Sequence, residues 1–216
     1  MIPYLKTVAV IKDIHTHNIY NDAIISIEPG DAVIADKYYS VGIHPWNSGS
    51  VDDDMLRLLD TYARYDNVVA IGETGIDGLK GGSVDRQKDL FIKHAALSSE
   101  LKKPLIIHAV RSFNDIIELH KRLKPGNAWI IHGFRGNENI AVALLKEGFY
   151  LSYGELFNEL SLLNTPIDRM LIETDCSEYP VEDIYSIIAG KLGMNPDILE
   201  KKISANVQRL FPYIVN

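Results

Sequence analysis

Leu105-Ile106-Ile107-His108 is a short apolar run that ends in a histidine, and the residues on either side of it give it its meaning. Upstream, Asp85–Leu101 places Leu90, Phe91, His94, Leu97 and Leu101 at helical spacing. Downstream, Ser112-Phe113-Asn114-Asp115 has the form of a capping box that opens a helix running to Leu123. A short apolar run between two amphipathic helices predicts a strand buried on both faces, as in a parallel sheet with helical crossovers. The same design returns at Trp129-Ile130-Ile131-His132. Working outward gives further strands at Val8–His15, Ala23–Ile27, Tyr39–Ile43, Val68–Glu73, Phe149–Ser152 and Met170–Glu173. Helices are predicted over Asp54–Tyr65, with Met55, Leu58, Leu59 and Tyr62 on one face, and over Ile140–Glu147, stopped by Gly148.

Strand and helix alternating to a count of eight strands predicts a (β/α)8 TIM-type barrel, one domain over residues 1–216. Residues 18–38 fit least well. They have room for a strand but hardly for two crossover helices, which usually need more than about ten residues each. Either loops replace helices at a degenerate corner, or the second strand is misplaced.

Composition narrows the function classes. The net charge of −7 argues against a nucleic-acid coat or a membrane-surface protein, though not against an enzyme that grips a few phosphates. No apolar stretch is long enough to span a bilayer, and the start, Met1-Ile2-Pro3-Tyr4-Leu5-Lys6, lacks the layout of a signal peptide. The single cysteine, Cys176, rules out an internal disulfide, and a cytoplasmic location is expected. Without a visible basic partner, Cys176 reads as structural.

Residues able to hold a divalent metal recur where strands end. His15-Thr16-His17 puts two imidazoles on one side of a strand, since strand side chains repeat every second residue. Glu73, His108, His132 and Asp175 follow at the ends of other strands. In parallel α/β folds that rim carries the chemistry, so a metal site is expected from His15, His17, Glu73, His108, His132 and Asp175. His94 and His120 lie inside helices and read as ordinary partly buried or surface residues. Asp52, Asp53 and Asp54 read as helix N-terminal acids favoured by the helix dipole. Trp129 reads as core, and Trp46, beyond His44-Pro45, as a residue of the rim.

Taken in order, the motifs are His15-x-His17, Gly42-Ile-His44-Pro45, Gly72-Glu73-Thr-Gly75-Ile-Asp77, Ile107-His108, His132-Gly-Phe134-x-Gly136, Leu171-Ile-Glu173-Thr174-Asp175 and Asn206-x-x-Arg209-x-Phe211, with Gln87 and Phe91 between. This set resembles the TatD-type metal-dependent hydrolases over residues 13–211. The resemblance implies an amidohydrolase-type barrel, a group whose members include deoxyribonucleases, with two divalent metal ions. Carried over, His15, His17 and Asp175 hold one metal, His108 and His132 hold the second, and Glu73 bridges. Two cations and an activated water suit displacement at phosphorus. Asp175 is then the residue to take the water's proton, with Glu73 also in the catalytic set. His44 suits a substrate phosphate, and Arg111 and Arg135, each three residues after a ligand histidine, are candidate phosphate contacts.

The chain also departs from the family. It is shorter than the usual barrel of about 250 residues. Segments are missing between His17 and Tyr38 and after Asp175, where Glu178-Tyr179-Pro180 leads straight into a predicted helix. Val110 stands where the family has an arginine. The metal site is thus complete while the substrate wall is reduced. A DNA phosphodiesterase working from an end is the leading expectation. The alternatives are a hydrolase of an ester or amide and a non-catalytic metal-binding relative. Three or four imidazoles favour Zn2+ or Mn2+, and the resemblance implies Mg2+.

Overall fold

Strands β1 (Asp13–Thr16), β2 (Ala23–Ile27), β3 (Tyr38–Val41), β4 (Val68–Asp77), β5 (Leu105–Val110), β6 (Trp129–Ile131), β7 (Tyr150–Tyr153) and β8 (Met170–Ile172) lie side by side in chain order. Every pairing between neighbours is parallel. The computed structural model describes residues 11–20, 22–212 and 214, so the first part of the predicted Val8–His15 strand lies outside the described residues. β1 and β8 meet through a parallel bridge between Thr16 and Asp175. Asp175 N–H donates to His15 O at 2.9 Å, and His17 N–H donates to Asp175 O at 3.1 Å. The sheet therefore comes round on itself as the expected (β/α)8 barrel.

Helices α1 (Asp53–Ala63), α2 (Val84–Leu101), α3 (Phe113–Leu123), α4 (Glu138–Lys146), α5 (Glu159–Leu163), α6 (Val181–Leu192) and α7 (Pro196–Leu210) cover the outside. Between β1 and β3 there is no helix among the described residues, and β2 falls on the predicted residues, so the corner is a real simplification of the barrel. None of the helices among the described residues is long and apolar enough to cross a membrane.

Local chemistry accounts for most element boundaries. Asp52 caps α1 by accepting Met55 N–H at 2.8 Å, and Asp53 and Asp54 fill the first turn. Leu58 is 44% exposed, so it leaves the predicted buried face, which Leu59 and Ala63 form instead. Gly148 follows the end of α4 with a φ of 92°, the left-handed conformation that glycine adopts freely. The predicted capping box at α3 does not form. Ser112 instead donates its hydroxyl to Ile76 O at 2.6 Å, and Asp115 pairs with Lys88 at 2.6 Å. The helix begins where expected, with Ser112 O accepting Ile116 N–H at 3.0 Å, but the Ser112 hydroxyl is tied to β4 rather than to the helix.

β4 runs four residues past its predicted end at Glu73, because ladder bonds need only backbone and the polar tail Thr74-Gly75-Ile76-Asp77 still pairs with β5. Close approach of the two strands requires glycine. A Cβ on Gly75 would strike the backbone carbonyl of His108. With the alternation of a strand, Glu73, Gly75 and Asp77 share one face. The far end of the chain locks the barrel. Asn206 on α7 donates to Ile167 O at 2.6 Å and to Met170 O at 2.9 Å, and buried Phe211 closes the motif.

Candidate metal centre

Each candidate ligand sits in or just beyond a strand at the same rim, and the four histidines among them converge on Glu73. Glu73 Oε2 lies 3.4 Å from His15 Nε2 and 3.5 Å from His17 Nε2. Its other oxygen, Oε1, lies 2.8 Å from His108 Nδ1, 2.8 Å from His132 Nε2 and 3.1 Å from His44 Nε2. Asp175 Oδ1 stands 3.8 Å from His15 Nε2 and 3.6 Å from His17 Nε2. One carboxylate thus divides the site. Its Oε2 faces the histidines of the first strand, beside Asp175, and its Oε1 faces those of the middle strands.

The electrostatics match this crowding. Burial pushes the Glu73 carboxyl up, but the charge of His132 and the hydrogen bond to His108 outweigh it, and the group stays well below the usual carboxylate range. His132 responds in the opposite sense. Burial pulls it down, yet Glu73 and Glu173 hold it well above the ordinary histidine range. His17 is raised chiefly by Glu73, against burial.

His15 supplies the test of whether a metal fits. It is fully buried, and neither ring nitrogen has a hydrogen-bond partner; its Nε2 approaches Glu73 without hydrogen-bond geometry. Buried polar atoms are normally satisfied, so an imidazole held beside two carboxylates with both nitrogens free suits a cation. Ligand atoms of His15, His17 and Glu73, of His15, His132 and Asp175, and of His44, Glu73 and His108 each lie within 4.8 Å of one another. The donor set of imidazole nitrogen and carboxylate oxygen fits Zn2+ or Mn2+ and accommodates Mg2+.

Three further carboxylates hold the cluster in place, and sequence reasoning gives none of them a role. Glu173, fully buried, accepts Gly133 N–H at 2.6 Å and meets His132 Nδ1 at 3.2 Å. Asp13 accepts His15 N–H at 3.1 Å, Thr174 N–H at 3.1 Å and the Thr174 hydroxyl at 2.6 Å. Asp77 meets His108 Nε2 at 3.2 Å and accepts the Trp46 indole N–H at 2.6 Å. Their signal is spacing. Asp13 and Glu173 each lie two residues before a candidate ligand, and Asp77 lies two strand alternations beyond Glu73.

Other expectations shift in detail. His44, expected outside the ligand set, contacts Glu73 directly. His94, expected to be a partly buried or surface residue, is wholly buried between helix and strand. Cys176, expected to be structural, is exposed at the cavity rim, and partial burial together with Asp175 raises its thiol pKa, the opposite of an activated nucleophile. Trp129 is core as expected, and Trp46 is 48% exposed and lines the cavity. That cavity has a volume of about 480 Å³ and opens over Glu73, His108, His132 and Asp175. Arg111 and Arg135 are exposed and do not line it; Arg135 lines an adjoining hollow of about 110 Å³ that also touches Asp175.

Comparison with known proteins gives this geometry a family. The model of the family described as TatD related DNase matches residues 30–212. A protein of Buchnera aphidicola subsp. Baizongia pistaciae named "Uncharacterized metal-dependent hydrolase" is 37% identical over 194 residues, covering 80% of this chain and 73% of that protein. The Escherichia coli K12 "Uncharacterized metal-dependent hydrolase YcfH" is 33% identical over 198 residues, with the same two coverages of 80% and 73%. The fold is that of the crystal structure of YJJV, a TatD homolog from Escherichia coli K12, at a TM-score of 0.81 and 19% identity over 95% of this chain and 99% of that one. By sequence and fold together, the chain belongs to the TatD family of metal-dependent hydrolases.

Proposed function

We propose that the chain is a two-metal phosphodiesterase that hydrolyses DNA from an end. The observation that carries this reading is the division of Glu73, with Oε2 toward His15 and His17 and Oε1 toward His108 and His132. In this reading His15, His17 and Asp175 would hold one divalent ion and His108 and His132 the other, with Glu73 placed to serve both. Bound divalent ions would lower the pKa of a water and offset charge on the reacting oxygens.

The chain's own residues supply the rest. Asp175, with its carboxylate beside His15 and His17 and partly open to the cavity, accepts the proton of the attacking water. His44 accepts the backbone N–H of Trp46 at Nδ1, at 3.2 Å, so its Nε2 carries the proton, which is donated to Glu73 or, in this reading, to a phosphate oxygen in its place. Glu173 keeps His132 turned with Nε2 inward. The description of the matching family as DNases supports the substrate class.

A second reading has its own observation. None of the described residues lining the cavity is Lys or Arg, and Glu28 and Asp31 form part of its wall. Such a wall favours a substrate with little negative charge beyond the reacting group, such as an ester or amide. A panel of a single-stranded oligonucleotide, a simple phosphodiester and an aminoacyl ester, each with Mg2+, Mn2+ and Zn2+, separates the two. Turnover of the oligonucleotide above the others supports the first reading; turnover of the aminoacyl ester alone overturns it.

A further inference from the structure

Asp77 is 3% exposed, and every part of it is held. Its backbone is gripped by the buried Gln87 side chain, which accepts Asp77 N–H at 2.7 Å and donates to Asp77 O at 3.1 Å, Lys80 O at 2.9 Å and Gly82 O at 2.9 Å. Its Oδ1 accepts Leu79 N–H at 2.8 Å and Lys80 N–H at 3.1 Å. Only Oδ2 is left, and two side chains share it. Trp46 donates its indole N–H at 2.6 Å, and His108 Nε2 stands at 3.2 Å.

An imidazole whose one nitrogen donates to a carboxylate presents the lone pair of the other. For His108 the two nitrogens meet two carboxylates, Nδ1 with Glu73 Oε1 at 2.8 Å and Nε2 with Asp77 Oδ2 at 3.2 Å. Without a cation a proton on Nδ1 joins it to Glu73; with a divalent ion bound, the donation to Asp77 would leave Nδ1 as the presented atom. For His132, held by Glu173 at Nδ1, the presented atom is Nε2. The two neighbouring rings are thus anchored by opposite nitrogens, and a fixed carboxylate sets each choice. Trp46, the second donor to Asp77 Oδ2, is part of the cavity wall, with the Lys80 ammonium 4.1 Å from its ring centre and the His44 ring edge-on at 4.7 Å.

We propose that Asp77 is a positioning residue that presents His108 through Nδ1 and ties it to the cavity wall at Trp46, so that metal affinity and the order of that wall are coupled through one carboxylate oxygen. The proposal rests on the metal-dependent reading of the site. It extends that reading by making the substrate wall respond to metal and by naming the ligand atom of His108.

Trp46 reports on this directly, since the only other tryptophan, Trp129, is buried against Phe91 and Phe149 and does not line the cavity. Chelated protein is titrated with Zn2+, with occupancy measured by equilibrium dialysis and elemental analysis and with indole emission read in parallel. In the wild type the emission should follow occupancy, and in Trp46→Phe the response should vanish while Zn2+ still binds. Asp77→Asn should weaken Zn2+ binding about 10–100-fold, the usual cost of losing such a carboxylate partner, and Asp77→Glu should restore part of it. Nitrogen-15 spectra of histidine-labelled, Zn2+-loaded wild type need no variant and should show the His108 proton on Nε2. Unchanged Zn2+ affinity in Asp77→Asn, or a His108 proton on Nδ1, overturns this inference alone. A wild type that binds no Zn2+ overturns the metal-dependent reading and this inference with it.

Discussion

His94 Nε2 accepts the Ile43 N–H at 3.0 Å while its Nδ1–H donates to Leu90 O at 2.8 Å, so a neutral, fully buried imidazole fastens α2 to the chain one residue before His44. Burial pushes its pKa down to about 4. The ring holds the backbone that delivers His44 to Glu73.

This ring should make the protein acid-sensitive. Unfolded, His94 takes up a proton as pH falls through about 6.5; folded, it resists until about 4. Its contribution is therefore complete above pH 6.5 and is lost as pH falls toward 4, by on the order of 3 kcal/mol. His94→Phe removes that dependence but leaves Ile43 N–H buried without an acceptor, at a cost of about 1–3 kcal/mol. The variant should be the less stable at pH 7.5 and draw level near pH 5. Urea unfolding over a pH series checks this, and parallel profiles would contradict it.

Asp13 should act in the opposite direction. Burial pushes its carboxyl up to about 7, although Thr174 and the His15 N–H favour the charged form. The folded state therefore keeps a proton that the unfolded chain releases near pH 4, and stability falls as pH rises from about 4 to about 7. Asp13→Asn should remove this loss, gaining on wild type by about 4 kcal/mol across that window in chelated protein. The two windows overlap with opposite sign, so wild type alone should show a shallow profile and only the variants separate the causes.

Glu73→Gln keeps the shape of the hub and removes its charge. Because both oxygens are committed, we expect loss of more than about 100-fold in activity. Metal content should also fall below that of His108→Ala. Elemental analysis beside the assay decides; full metal content with wild-type rate rejects the bridging role.

Asp175→Asn should divide chemistry from binding. Loss of the proton acceptor should lower kcat by about 100- to 10,000-fold with KM nearly kept. A variant with normal kcat at saturating metal would reduce Asp175 to a ligand.

Arg111→Ala and Arg135→Ala test the substrate. If the guanidinium grips a phosphate, its removal should raise KM on a short oligonucleotide and flatten the log–log salt dependence by about 0.7. An ester or amide substrate would show neither change.

Most of the barrel is legible in the sequence because parallel strands are apolar runs, and each run from Ala23–Ile27 to Met170–Glu173 lies within two residues of an observed strand except for the tail of β4. That tail is hidden because Thr74, Gly75 and Asp77 carry no apolar signal although their backbones pair. The candidate ligands are legible as a pattern because Glu73, His108, His132 and Asp175 each interrupt or follow a strand, and the structure brings their side chains to one rim. What single-chain periodicity does not show is which side chains meet across strands. Asp13 reaches Thr174 over a separation of 161 residues, and the Ser112 hydroxyl turns to Ile76 instead of capping its helix. Nor does helical spacing reveal that His94 must satisfy a neighbour's amide.

The seam between β1 and β8 carries a further consequence. Among the described residues the seam is joined by one bridge, Thr16 to Asp175, by the Asp13–Thr174 bonds and by the Thr16 hydroxyl, which meets Thr174 Oγ1 and Asp175 O. The same seam bears His15 and His17 on one side and Asp175 on the other. A cation gripped by those three residues would clasp the first strand to the last, a join across 159 residues of sequence and so a costly loop to close in entropy. Ligation that favours only the folded chain adds about 2.7 kcal/mol at a free concentration 100 times the dissociation constant. Metal supply would then regulate how long the protein survives as well as how fast it works, and scarcity would open the barrel at its catalytic edge first.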